Sequence, residues 1–68
     1  MADRLLNTLR QERDRLGLTQ AALAERVGVS RKTINTVENG VFVHSTVLAL
    51  KLAAALERPV EALFQVAD

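Results

Sequence analysis

Cysteine, tryptophan and tyrosine are all absent from this 68-residue chain, and Phe42 and Phe64 are its only aromatic side chains. Without cysteine there is no disulfide and no thiolate nucleophile, and the composition is compatible with a reducing compartment. One histidine, His44, cannot build a zinc site, which takes three or four ligands. No apolar run approaches the roughly 20 residues that cross a bilayer. Arg4, Asn7 and Arg10 interrupt the apolar stretch that a signal peptide would need, so a cytoplasmic location is expected. Paired carboxylates on a concave wall are lacking too, and Ser30 and Ser45 are better explained as helix caps than as nucleophiles. Gly17, Gly28 and Gly40 are spaced as helix terminators and form no phosphate-binding loop. Neither catalysis nor a metal, cofactor or small-molecule ligand is expected.

Charge of one sign is missing as well. Nine basic residues face eight acidic ones, a formal net charge of +1. That balance argues against tight non-specific binding to nucleic acid and leaves specific binding open. A chain of this length makes one domain, expected to span residues 1–68, with a modest core in which Leu, Val and Ala dominate.

The most informative stretch runs from Thr19 to Gly40. Thr19 can cap a helix over about Gln20–Val27, whose apolar flank is Leu23, Ala24 and Val27. Gly28 follows the last apolar residue, where a left-handed backbone is cheapest for glycine. Ser30 can cap a second helix, Arg31 to about Glu38, with Ile34, Val37 and Glu38 turned inward. Its other face is polar: Lys32, Asn35, Thr36 and Asn39 recur at helical spacing, with Arg31 at the N-terminal tip. Small Ala24 and Gly28 allow a close, steep crossing of the two helices. Two short helices so joined are the helix-turn-helix that enters the DNA major groove.

The flanks read as three more helices. Ala2–Leu16 is expected to be the first, with Asp3 near its start and Leu5, Leu6, Leu9 and Leu16 along its apolar side. Arg13 lies on or near that side, where an arginine ordinarily snorkels to solvent. After the Asn39-Gly40 stop, Val41–His44 reads as an extended loop. Ser45 then caps a helix over about Thr46–Leu56, whose core face is Leu48, Leu52 and Leu56 with Ala49 and Ala53. Val47, Leu50 and Ala54 form a second apolar stripe; scattered surface apolar residues are ordinary, yet two apolar faces call for two burial partners. Pro59 breaks that helix and suits the start of a last one, Val60 to about Val66.

The run LTQAALAERVGVSRKTINTVENG resembles the DNA-binding core of the XRE family, the phage repressor and Cro-like regulators. The Leu18-Thr19-Gln20 opening, Ala24 with Gly28-Val29-Ser30, and Glu38-Asn39-Gly40 carry the likeness. In register with them are Leu9-Arg10, Arg13 and Gly17-Leu18 before, and Ser45 with Leu48–Ala53 after. The resemblance covers roughly Leu5 to Phe64. It implies an all-α, compact five-helix lambda-repressor-like DNA-binding domain, with the helix-turn-helix (about 19–39) formed by helices two and three. It also implies an ion pair between Arg13 and Glu38 that ties helix one to the recognition helix. The chain departs from the family at His44, where proline is common, and at Glu57, where glycine is frequent.

The expected function is sequence-specific transcriptional regulation, chiefly as a repressor that is itself the whole regulator. A homodimer would bind a palindromic operator in double-stranded DNA, since one short helix reads few base pairs. Arg31, Lys32, Asn35 and Thr36 are the expected base contacts. Thr19, Gln20, Thr33 and Asn39 are the expected phosphate contacts, Gln20 lying at a helix N-terminus and Thr19 able also to cap. Candidates for the dimer surface are Val41 and Val43 in the loop, the Val47, Leu50 and Ala54 stripe, and Val60, Leu63 and Phe64 of the last helix. A second reading is an antitoxin-type protein or an adaptor whose main task is protein–protein interaction, with a toxin or RNA polymerase as partner and DNA binding for autoregulation.

Overall fold

The structure, a computed structural model, describes residues 4–40 and 45–67. Its elements are strand β1 (Arg4–Asn7), helices α1 (Leu9–Arg15), α2 (Gln20–Val27), α3 (Arg31–Glu38), α4 (Thr46–Leu56) and α5 (Val60–Leu63), and strand β2 (Phe64–Ala67). The five helices stand in the expected order, and the start of each of the central three has a local chemical cause. The hydroxyls of Thr19, Ser30 and Ser45 accept from the backbone N–H of Ala22, Thr33 and Leu48, satisfying one free donor at each start.

The helix ends separate two solutions to one problem. Gly28 closes α2 with φ +76°, a left-handed conformation that glycine adopts at little cost. Glu57 closes α4 in the same region at φ +57°, and it is the one non-glycine residue with positive φ among the described residues. The departure from glycine noted in the sequence therefore leaves the terminus geometry intact and places steric strain on Glu57.

The chain ends differ from expectation. The sequence reading places Leu5 and Leu6 on a first helix from Ala2; instead Arg4–Asn7 is extended and α1 begins only at Leu9. Val66 likewise lies on a strand instead of in a longer last helix, because α5 stops after Leu63. The two strands pair antiparallel, with Leu5 opposite Val66 and Asn7 opposite Phe64. Asn7 stands at the junction of strand and helix. Its Oδ1 accepts from Leu9 N–H at 3.2 Å, capping the start of α1, while its Nδ2 donates to the Val37 carbonyl at 2.9 Å. A side chain that caps a helix from two residues upstream does not also continue that helix. Asp3, Val41, Phe42, Val43 and His44 lie outside the described residues.

The core unites Leu9, Leu23, Ala24, Val27, Ile34, Val37, Leu52, Leu56 and Leu63, all buried. Each large member adds about 1.5–3 kcal/mol through its removal from water. α2 packs on both α3 and α4, so α3 has one face pressed into the domain and the other left to solvent. Leu63, expected as a dimer contact, is fully buried. It faces the domain's own core and has no surface to offer a second chain. Val60 and Phe64 are half-buried, Phe64 against that same core.

Candidate nucleic-acid interface

Every apolar residue of α3 is buried: Ile34 fully and Val37 almost so. With those two fixed inward, the helical repeat turns Arg31, Lys32, Asn35 and Asn39 to the surface, and all four are exposed. Thr36 and Thr33 are half-buried at the margins of that face. Thr33 is held locally, its Oγ1 lying 3.0 Å from the Ser30 hydroxyl. Thr19, also exposed, spends its hydroxyl as an acceptor for Ala22 N–H. The expected base-contact residues thus share one surface around the tip and flank of α3.

Behind this surface lies a polar clamp. Arg13 Nε donates to Glu38 Oε2 at 2.8 Å and Nη2 donates to Oε1 at 3.3 Å, a two-pronged arrangement. Arg13 Nη1 also donates to the Leu18 carbonyl at 2.9 Å. One side chain on α1 therefore grips both the segment entering α2 and the end of α3. The pair is largely shielded, with the Arg13 side chain 12% and Glu38 6% exposed. The hydrogen bond to Glu38 raises the Arg13 guanidinium above its ordinary range, against the opposing effect of burial.

Glu38 has a second donor. Gln20 Nε2 lies 3.1 Å from Glu38 Oε1 and 3.3 Å from Asn35 Oδ1. The first residue of α2 is thus wired both to Asn35 on the exposed face of α3 and to the shielded Glu38 at its last turn. Reading the sequence paired Arg13 with Glu38 through family resemblance but assigned Gln20 and Asn35 separate tasks. Gln20 and Glu38 are 18 positions apart on different helices, and no spacing rule brings them together. Asn7 was also missed, although its bond to the Val37 carbonyl secures the last turn of α3.

A second anchor sits away from this face. Glu12 Oε1 accepts from Arg15 Nε at 2.6 Å and from Arg58 Nε at 3.2 Å. Arg15 Nη2 reaches the Leu56 carbonyl at 2.8 Å, which joins α1 to the end of α4. The Arg15 hydrogen bond, aided by the charge of Arg58, holds the Glu12 carboxyl below its ordinary range. Among the described residues no cluster of His, Cys, Asp or Glu could hold a metal ion, and no helix is long and apolar enough to cross a membrane.

Comparison with known proteins decides the family. The helix-turn-helix family model matches residues 9–63. The chain belongs to the XRE-type helix-turn-helix regulators. That family is not an enzyme class. An uncharacterized HTH-type transcriptional regulator of Methanothermobacter thermautotrophicus is 52% identical over 50 residues, covering 74% of this chain and 72% of its own. YgzD of Bacillus subtilis, described in the same terms, is 40% identical over 58 residues, 85% of this chain and 88% of the relative. Among solved structures, the restriction-modification controller protein C.AhdI of Aeromonas hydrophila superposes with a TM-score of 0.72 at 39% identity, covering 79% of this chain and 82% of that one. The lambda-repressor-like architecture follows for this helix-turn-helix domain.

Proposed function

We propose that this regulator binds a palindromic operator as a homodimer, with α3 in the major groove, and acts as a repressor by occluding RNA polymerase. The observation that carries the reading is the segregation of α3: Ile34 and Val37 are buried while Arg31, Lys32, Asn35 and Asn39 are exposed together. Arg31 and Lys32 at the tip reach base edges, with Asn35 and Thr36 one turn along; the arginine fork matches guanine O6 and N7. Thr19, Thr33 and Asn39 contact phosphates around the groove. Gln20 joins them through its backbone N–H at the start of α2, since its side-chain amide is occupied within the protein.

The homodimer reading rests on α4. Val47 and Leu50 are 60% and 56% exposed, and Ala54 is exposed one turn beyond Leu50, so three apolar residues share an uncovered face. A two-fold interface uses the same patch on both subunits, and this stripe is suited to that role. Two recognition helices held one helical turn apart, about 34 Å, would read paired half-sites. A cytoplasmic location accords with this role.

Selection of bound duplexes from a random DNA pool tests the reading. The expected product is a pair of inverted half-sites with a fixed spacing. Recovery of a single ungapped half-site would remove the homodimer, and recovery of no common sequence would remove specific binding.

A further inference from the structure

The hydrogen bonds behind α3 have a fixed direction, and the direction has a consequence for what the face can read. Glu38, held in its two-pronged ion pair with Arg13, is a carboxylate and can only accept. Gln20 approaches Glu38 Oε1 at 3.1 Å, so it must present its Nε2 there and not its carbonyl oxygen. The same Nε2 lies 3.3 Å from the side-chain amide of Asn35, which must then answer with Oδ1. An amide rotated by 180° would set N–H against N–H. Charge on Arg13 thus determines, through Glu38 and Gln20, which way an exposed asparagine faces.

We infer that this relay biases Asn35 toward donating: its Oδ1 is turned to Gln20 and its Nδ2 is offered to the groove, so it selects guanine over adenine. The inference rests on the proposed entry of α3 into the major groove. An asparagine free to rotate pairs bidentately with adenine, donating to N7 and accepting from the N6 amino group. With Oδ1 turned toward Gln20, only its second lone pair is left for the N6 amino group, so the second of those bonds is weakened and the adenine N6 donors face the Asn35 donors. Guanine shows two acceptors, O6 and N7, on the same edge. Asn35 is exposed, and its Nδ2 meets no acceptor among the described residues. Gln20 acts here as a positioning residue, and both N–H bonds of its amide are used within the protein.

The test is site selection from a random duplex pool with the wild type, Asn35→Ala and Gln20→Met. The Asn35→Ala variant identifies the base pair that Asn35 governs, as the one whose preference collapses. At that pair the wild type should favour guanine over adenine by about tenfold. Gln20→Met frees the asparagine, and adenine should rise there to near parity with guanine. Wild-type enrichment of adenine at that pair, a guanine preference that survives Gln20→Met, or no preference lost in Asn35→Ala would overturn the inference while leaving the groove reading in place. Failure of the wild type to enrich any sequence would defeat the groove reading itself, and the inference with it. Should Gln20→Met fail to fold, proton exchange of the side-chain amides in the free wild type decides the direction of the relay. Slower exchange at the Gln20 amide than at Asn35 is expected, and the reverse order would overturn it.

Discussion

Arg13 Nε and Glu38 Oε2 are 2.8 Å apart, on α1 and at the last residue of α3, and neither side chain is more than 12% exposed. The pair fixes the recognition helix to a helix that itself has no expected DNA contact. Breaking one partner of a largely buried pair leaves the other charge uncompensated. Arg13→Ala and Glu38→Ala should each cost about 3–5 kcal/mol in denaturant unfolding. The double variant should lose much less than their sum. Additive losses would show that the two side chains contribute independently.

Arg31 is exposed at the tip of α3 with no protein partner among the described residues, so its removal should leave stability within about 0.5 kcal/mol of the wild type. Arg31→Ala should instead lose about 1–3 kcal/mol of discrimination at one defined base pair per half-site, measured by titration against single-base operator variants. Equal weakening on every sequence would make Arg31 a phosphate contact only.

Glu57 holds a left-handed conformation at φ +57° in an exposed position, where an L side chain is strained and glycine is not. Glu57→Gly should raise stability by about 0.5–1 kcal/mol, the relief of strain being partly offset by the greater freedom of glycine in the unfolded chain. A lower melting temperature would show that Glu57 makes compensating contacts at the end of α4.

The Glu12 carboxyl is held below its ordinary range by Arg15 and Arg58, so its folded value lies below its unfolded one. The stability it contributes is present above the ordinary carboxylate range and is lost as pH falls through the lowered folded value. Glu12→Gln should therefore lower stability at neutral pH and flatten the acid limb of the stability curve. Two parallel curves across the acid range would contradict the assignment.

Val47 and Leu50 are the exposed apolar residues that the homodimer reading needs. Leu50→Asp should leave the fold intact, as seen by circular dichroism, and shift sedimentation at micromolar concentration to monomer. A dimer that survives the change uses another surface.

Local chemistry made the centre of the chain legible. Caps at Thr19, Ser30 and Ser45 and the left-handed Gly28 are decided by one to three neighbouring residues, so the starts of α2, α3 and α4 and the end of α2 could be read directly. The termini could not. Leu5 and Leu6 suit either a helix or a short strand, and what turns them into a strand is pairing with Phe64–Ala67, about sixty residues away. Leu63 shows a related ambiguity: helical spacing marks it apolar but cannot say whether its partner is the domain core or a second chain. The surface of α3 was legible as a face, whereas the bond from Gln20 to Asn35 depends on how two helices cross and leaves no trace in spacing.

The central claim is that the exposed side of α3 enters the groove. Backbone amide chemical shifts, followed as the selected operator duplex is titrated into the labelled protein, test it most directly. The account predicts changes concentrated at Thr19–Gln20 and Arg31–Asn39, with smaller ones along α4 from pairing of subunits. Shifts confined to α4 and the terminal strands, with Arg31–Asn39 unmoved at saturating DNA, would contradict it.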